Sequence, residues 1–191
     1  MHPLIFAGLK SPGDKLIEAA TWYLNLSKDL ESSSPDVAAL KKMCSFILKK
    51  EYGMSASQIG ESLGLNNNMV RYHNRPVGGS KELYLSGENK LYEFIYLNVV
   101  RKNKGLEYFN FQDLFDLCIP EFPKTNDMLF YDAKPFVIYF SKNMMSTNEI
   151  VNILEINNPS LAKDLDLHNK SLYIDIINAK IEMIINQLKR R

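Results

Sequence analysis

The sequence has 191 residues, of which 46% are hydrophobic, 24% charged and 11% aromatic, a balance that excludes a disordered, collagenous or membrane-spanning chain. Its 23 basic and 22 acidic residues give a formal net charge of +1, which neither requires nor excludes a polyanionic partner. The only cysteines, Cys44 and Cys118, lack neighbours at metal-ligand spacing, so we expect no disulfide scaffold and no zinc module. We therefore expect a reduced, cytoplasmic protein.

The charges are unevenly distributed along the chain. Residues 36–104 hold 11 basic and 6 acidic groups, residues 105–132 hold 1 and 6, and residues 169–191 hold 5 and 2. A basic block and a short basic tail thus flank an acidic segment. The N-terminus lacks the basic region of a signal peptide, and no apolar run approaches the ~20 residues of a spanning helix, so no membrane partner is expected.

The first half of the sequence predicts a series of helices. Asp14 opens a helix in which the inward residues are Leu16, Ile17, Ala20, Tyr23 and Leu24. Ser34 with Pro35 predicts the start of a second helix through Lys50, with an apolar stripe of Val37, Leu40, Cys44, Ile47 and Leu48. A later helix is predicted from Glu88 to Arg101, with Leu91, Phe94, Ile95 and Val99 inward.

Between these helices lie two short ones joined by a turn. Ser55 and Gln58 form a capping box at the start of the first, where Ile59 and Leu63 share one face. Gly64 can take the left-handed conformation that ends a helix. Leu65 then points inward, Asn66 and Asn67 can cap the next helix, and Val70 is its inward residue. This order is typical of a helix-turn-helix.

An internal repeat supports the same interpretation. Residues 54–67 align without gaps with residues 145–158, and six of the fourteen positions are identical. Ser146 and Glu149 repeat the capping box, and Ile150 and Leu154 repeat its apolar pair. The alternative is chance similarity between two capped amphipathic helices. We expect two tandem copies of one helical unit, with the boundary near Lys104 and Gly105.

The first copy resembles the C-terminal DNA-binding domain of the bacterial replication initiator DnaA, in the Trp-repressor-like helix-turn-helix group. The resemblance covers about residues 14–75, through the helix order and the Ser-Ala-Ser-Gln-Ile-Gly segment at 55–60, and more faintly about residues 111–165. It implies an all-α fold and binding to double-stranded DNA.

The sequence departs from that family where the second helix of the motif begins. The family has an Arg-Asp-His-Ser/Thr-like signature there, whereas residues 65–69 read Leu-Asn-Asn-Asn-Met, so the acid, histidine and hydroxyl that read bases are absent. No phosphate-binding G-x-x-x-x-G-K-[ST] loop occurs, so no initiator ATPase is expected. The resemblance therefore implies a relative with a different or lost sequence preference.

The candidate DNA-binding residues form two groups. Asn and Arg side chains can pair with adenine and guanine at major-groove edges, and lysines on the support helix can neutralise phosphates. The first group, on the exposed side of the second helix of the motif or near it, is Asn67, Asn68, Arg71, Tyr72, His73, Asn74 and Arg75. The second group is Lys41, Lys42, Lys49 and Lys50. The alternative is a solvated polar helix face with ordinary surface lysines.

The second copy is less suited to DNA. Glu155 replaces Gly64 at the turn, and the following helix carries Ser160, Lys163, Asp164 and Asp166, whose carboxylates would repel phosphates. Pro135 is expected to split its support helix. Residues 136–140 could form a buried strand, although the repeat favours a helix. We expect a degenerate repeat that serves protein contact or dimerisation, although the basic end, Lys189 to Arg191, could touch a DNA backbone.

These observations predict an all-α protein with two tandem helix-turn-helix-containing bundles, residues 1–104 and 105–191. The expected function is double-stranded DNA binding, regulatory or replication-associated, in a protein of bacterial or phage origin. The alternative is a non-enzymatic interaction or structural protein, such as a phage assembly component or a replication adaptor. No paired carboxylates, nucleophile with its base, or metal cluster is recognisable, so we expect no enzyme, no cofactor and no metal.

Overall fold

A computed structural model of the chain describes residues 16, 35–75, 90–123, 133–143, 145, 147–154 and 170–190. All regular secondary structure within these residues is helical, which confirms the predicted all-α fold class. The helices are α1 (Pro35–Tyr52), α2 (Ala56–Leu63), α3 (Asn67–His73), α4 (Lys90–Asn103), α5 (Phe111–Cys118), α6 (Lys134–Lys142), α7 (Thr147–Leu154) and α8 (Lys170–Arg190). A short 3-10 turn, Ile119–Glu121, follows α5.

The chain divides into two compact units, Met1–Glu82 and Leu83–Arg191. In the first unit, α1 packs against both α2 and α3, and these two short helices pack against each other. The buried side chains of this core include Leu16, Cys44, Ile47, Leu48, Ile59, Leu63 and Val70. The predicted apolar stripe of α1 is confirmed for Cys44, Ile47 and Leu48, while the side chains of Val37 and Leu40 lie outside the described residues.

The second unit is organised around α8, which packs against α4, α5 and α6. Ile177, Ile181 and Ile184 of α8 are fully buried. Aromatic rings fill the space between the other helices: the Phe111 ring centroid lies 5.8 Å from that of Phe94 and 5.6 Å from that of Phe140. Helix α7 packs against α6.

Helix α4 belongs to the second compact unit. The sequence assigned it to a first domain ending at residue 104, whereas the division falls between Glu82 and Leu83, and α4 packs against α8 in the second unit. The predicted inward residues of α4 are nevertheless correct, since Leu91, Phe94, Ile95 and Val99 are all buried. Their amphipathic pattern defines a buried face but does not specify which helix covers it.

The start of α6 also differs from its prediction. Pro135 does not split a helix, because it lies in the first turn of α6. Backbone N–H groups of a first turn have no acceptor within the helix, so the absence of an N–H in proline breaks no hydrogen bond there. Residues 136–140 are helical, as the repeat indicated, and all five side chains are buried. Within the described part of the chain, no helix combines the length and apolar character needed to cross a bilayer.

The two short helices of the repeat occupy matching positions in the sequence. Helix α2 covers residues 56–63 and α7 covers residues 147–154, an offset of 91 at both ends. Ile59 and its counterpart Ile150 are both buried. The predicted second capping box lies outside the described residues, as do Glu155, Ser160, Lys163, Asp164 and Asp166, so the structure compares the two copies only through their first short helix.

Candidate nucleic-acid interface

Helix α2 begins at the predicted capping box. The Gln58 amide donates a hydrogen bond of 3.3 Å to the Ser55 hydroxyl, and the Ser55 amide donates one of 2.9 Å to Gln58 Oε1. These two bonds satisfy backbone donors that the first turn of a helix leaves without partners. Ile59 and Leu63 are buried, which orients α2 with its apolar side toward the core.

The turn between α2 and α3 is short and well defined by hydrogen bonds. Gly64 ends α2 in the left-handed conformation, with φ +61° and ψ +41°, and the next amide, that of Leu65, bonds to the Gly60 carbonyl at 2.9 Å. Asn66 then caps α3, because its side-chain oxygen accepts a 2.8 Å hydrogen bond from the Met69 amide. The predicted turn chemistry is confirmed at Gly64 and Asn66.

Gly60 is the point of closest approach between α2 and this turn. A Cβ atom at Gly60 would lie 2.5 Å from the backbone oxygen of Leu65, a separation that real Cβ contacts essentially never show. Because the crowded atom belongs to the backbone, no rotation of a side chain could relieve the contact. A residue without a side chain is therefore required for α3 to start where it does.

The inner side of α3 is formed by two of its residues and by the residue that follows it. Val70 and His73 are buried, and Asn74 is half-buried. The Asn74 side-chain amide donates hydrogen bonds to the Ser45 hydroxyl at 3.0 Å and to the Val70 carbonyl at 2.9 Å. The orientation of α3 is thus set by polar as well as apolar contacts.

The structure separates the first group of predicted site residues into exposed and inner ones. Asn67, Asn68, Arg71, Tyr72 and Arg75 are exposed, as expected. Asn74 was predicted to be exposed and is not, because it serves the junction with α1. His73 was placed near the exposed side, and its side chain is instead buried.

The exposed face of α3 carries positive charge and hydrogen-bonding groups. Asn68, Arg71 and Tyr72 follow the spacing i, i+3, i+4, which places them on one side of α3, and Arg75 lies two residues beyond the end of the helix. The Arg75 guanidinium carbon lies 5.2 Å from the centroid of the Tyr72 ring, so the two side chains stack. No acidic residue occurs between residues 62 and 75.

The four predicted lysines all lie on α1. Lys41 and Lys42 are half-buried, whereas Lys49 and Lys50 are exposed in the last turn. The Lys41 ammonium lies 3.9 Å from the position of a Cβ on Gly64, beside the turn that precedes α3. Lys49 is four residues beyond Ser45, about 6 Å along the helix axis. Cationic groups therefore occur beside the turn and beyond the junction of α1 with α3.

No family model, curated protein or solved structure matches this chain. What the interface binds therefore follows from its own chemistry. Two amides and one arginine on a short helix, a second arginine just beyond its end, and lysines on the supporting helix form a surface that suits a polyanion with hydrogen-bonding edges.

The buried titratable groups of the first unit are poorly suited to chemistry. Burial raises the pKa of the Cys44 thiol to about 12, which leaves it protonated and unreactive at neutral pH. Burial, with a smaller contribution from the Lys42 charge, lowers the pKa of His73. Among the described residues, no group of three or more His, Cys, Asp or Glu side chains is arranged to hold a metal ion.

Three residues important to this surface were given no structural role of their own in the sequence analysis, although Gly60 belongs to the segment that carries the resemblance. Gly60 reads as an ordinary helix position, Ser45 as a small polar residue on α1, and Met69 as the residue before the inward Val70. Only their neighbours in space reveal their roles. Helical spacing places Met69 about 100° around the helix from the inward Val70, and this was the one available signal.

Proposed function

We propose that this chain is a cytoplasmic double-stranded DNA-binding protein that uses α2, the turn and α3 as a helix-turn-helix, in a regulatory or replication-associated role. The observation that carries the proposal is the outer face of α3, where Asn68 and Arg71 are exposed on a helix without acidic residues, with Arg75 exposed just beyond its end. Helices of this kind enter the major groove, where Asn and Arg read base edges.

The supporting helix fits the same role. The described residues 35–75 contain six lysines and arginines against three acidic residues, and Lys41 lies beside the turn that a docked duplex would face. Such cations fix the position of a protein on the phosphate backbone without reading sequence. The helix order and the Ser55–Gly60 segment also resemble the DNA-binding domain of the DnaA initiator, which favours the same function and a bacterial or phage origin.

Fluorescence anisotropy with the full-length chain tests the proposal. A duplex selected from a random pool should bind with an affinity that falls steeply as salt rises, because phosphate contacts release counterions. Arg71→Ala and Arg75→Ala should each weaken specific binding by roughly 1–3 kcal/mol, about 5- to 150-fold. Wild-type protein without salt-sensitive affinity for any duplex would exclude this function.

Three control variants distinguish base recognition from a general effect of charge. Arg71→Lys keeps the positive charge and loses the planar guanidinium, so it should relax sequence preference while leaving the salt dependence nearly unchanged. Lys49→Ala should weaken binding to all duplexes equally and reduce the salt slope by about one. Lys142→Ala removes an exposed cation from α6 of the other unit and should change neither quantity.

A second candidate is an interaction protein without a DNA role, such as an assembly component or a replication adaptor. The observation in its favour is on α8, where Leu172 and Met183 are exposed and share a face with the half-buried Ile176. Such a face suits a protein partner or a second copy of the chain. Light scattering should then show self-association, or a captured partner should resist high salt, whereas DNA complexes dissociate.

A further inference from the structure

The outer surface of α3 contains apolar area that the proposed DNA contacts do not use. Met69 is 42% exposed and Tyr72 is 47% exposed, and they are the exposed large apolar side chains in the described part of the first unit. The other large apolar side chains of α1 to α3 that the structure describes are buried or half-buried. A helix of seven residues therefore carries both.

The two side chains are placed so that one ligand can contact both. Met69 and Tyr72 are three residues apart, which makes them neighbours on a helix surface. Val70 and His73, the residues that follow each of them, are buried against the core, so Met69 and Tyr72 do not belong to the same buried side. Asn68 and Arg71 precede them and are exposed. Apolar and hydrogen-bonding groups thus alternate on the surface that would enter a groove.

From this alternation we infer that Met69 and Tyr72 contact the C5-methyl groups of thymine, and that the DNA site contains A·T pairs opposite the first turns of α3. The inference rests on the proposed function. The thymine methyl is the apolar group on a major-groove edge, and the adenine paired with it offers the donor and acceptor that an amide such as Asn68 recognises. Met69 is the third residue of α3, and N-terminal residues of a recognition helix approach base edges closely.

The charges around the two residues favour DNA over a protein partner. Arg71 lies between them in sequence, Arg75 stacks on Tyr72, and no acidic residue occurs on α3. A protein partner would have to offer apolar contacts and compensate both arginines with acidic groups. A major groove offers methyl groups beside guanine acceptors and between two rows of phosphates, which satisfies the arginines and the apolar side chains together.

The test replaces thymine by deoxyuridine, which removes the methyl group and leaves base pairing intact. A duplex selected with the full-length chain is substituted at one thymine at a time, and the dissociation constants are measured by anisotropy. At the contacted positions we expect binding to weaken about fourfold, the value of one buried methyl group. In the Met69→Gln variant, replacing the thymine that Met69 contacts by deoxyuridine should not weaken binding further.

Met183→Gln is the matched control, because Met183 is 45% exposed on α8 of the other unit. It should keep the full sensitivity to deoxyuridine. If the wild type binds the selected duplex with salt sensitivity but every deoxyuridine duplex binds equally well, the inference is wrong and the proposed function stands. If Met69→Gln retains every deoxyuridine effect and instead abolishes a protein association seen by light scattering, a protein partner replaces the thymine contact. If no duplex binds, both the inference and the proposed function are wrong.

Discussion

The side-chain amide of Asn74 donates a 3.0 Å hydrogen bond to the hydroxyl of Ser45, a residue 29 positions earlier in the chain. Ser45 lies on α1 and is fully buried, and Asn74 immediately follows α3. The same side-chain amide donates a 2.9 Å hydrogen bond to the Val70 carbonyl. Asn74 therefore both caps the C-terminus of α3 and attaches this helix to α1. The direction in which the exposed face of α3 points therefore depends on a polar contact inside the first unit.

We expect Asn74→Ala to destabilise the first unit by roughly 1–3 kcal/mol, because the buried Ser45 hydroxyl loses its donor. Ser45→Ala should cost less, about 0.5–1.5 kcal/mol, since Asn74 keeps its bond to Val70. The double variant should cost less than the sum of the two. Urea unfolding of the full chain measures all three, with Ser57→Ala, at an exposed position of α2, as the control. Strictly additive effects would show that the contact contributes no energy.

Gly60→Ala should also destabilise the protein, contrary to the usual effect of alanine in a helix. Alanine is favoured over glycine in a helix by about 1 kcal/mol, but its Cβ would meet the Leu65 backbone oxygen. We expect overpacking to dominate, at roughly 1–3 kcal/mol, and duplex affinity to fall because the turn moves α3. The measurements are urea unfolding and anisotropy.

Gly64→Ala is the matched control for this prediction. A Cβ at Gly64 would make only an ordinary van der Waals contact, 3.9 Å from the Lys41 ammonium, so the cost is conformational, about 1–2 kcal/mol for a residue other than glycine at φ +61°. If Gly60→Ala were as stable as the wild type or more stable, α2 and the turn could separate without cost. The close approach of Gly60 to the Leu65 backbone would then not require glycine.

Local signals in the sequence predicted the part of the fold that is built locally. The capping box at Ser55, the left-handed Gly64 and the cap at Asn66 each depend on residues within four positions, and the structure has all three. The exposure of Arg71 and Arg75 followed from helical spacing. Whether these residues bind DNA stays a prediction, since it depends on a partner outside the chain.

Contacts between distant residues were not predictable in the same way. Asn74 has a side chain that could read a base edge, so the sequence suggested an exposed residue. Its hydrogen bond to Ser45 instead makes it part of the contact with α1. Helix α4 shows a clear apolar face, but its pattern does not distinguish α1 from α8 as the surface that covers it. A single sequence shows which face of a helix is apolar but does not show which helix covers that face, so α4 could not be assigned to the second unit from its pattern alone.

In the second unit, Glu93→Gln should destabilise the protein by roughly 1.5–3 kcal/mol. Glu93 is buried, and its carboxylate forms an ion pair with the ammonium of Lys189, with 2.5 Å between Oε1 and Nζ. This ion pair joins α4 to the end of α8. Glu182→Gln is the control, because Glu182 is exposed, Lys90 is half-buried and their charged groups are 3.8 Å apart; solvent-accessible pairs of this kind contribute about 0–1 kcal/mol. Equal effects of the two variants in thermal unfolding would contradict a special role for Glu93.

The stability of the first unit should decrease as the pH falls below 6.5, because of His73. Burial and the nearby Lys42 charge lower the pKa of this histidine from 6.5 in the folded protein. Its Nδ1 atom is buried without a hydrogen-bond partner in the described part of the chain, so a second ring proton would have no acceptor there. As the pH falls, the unfolded chain binds its proton first, and the free energy of unfolding decreases until the pH reaches the folded-state pKa.

Two measurements check this dependence on the full chain. In NMR titrations, the His73 ring signal, assigned by its absence in His73→Gln, should titrate below pH 6.5. In urea unfolding between pH 7.5 and 5, His73→Gln should lose the part of the pH dependence that His73 supplies, whatever its stability at pH 7.5. A folded-state pKa at or above 6.5, or identical pH dependence in the two proteins, would mean that α3 opens readily enough to hydrate His73. An α3 that opens so readily would not hold Asn68 and Arg71 in a fixed orientation toward a groove.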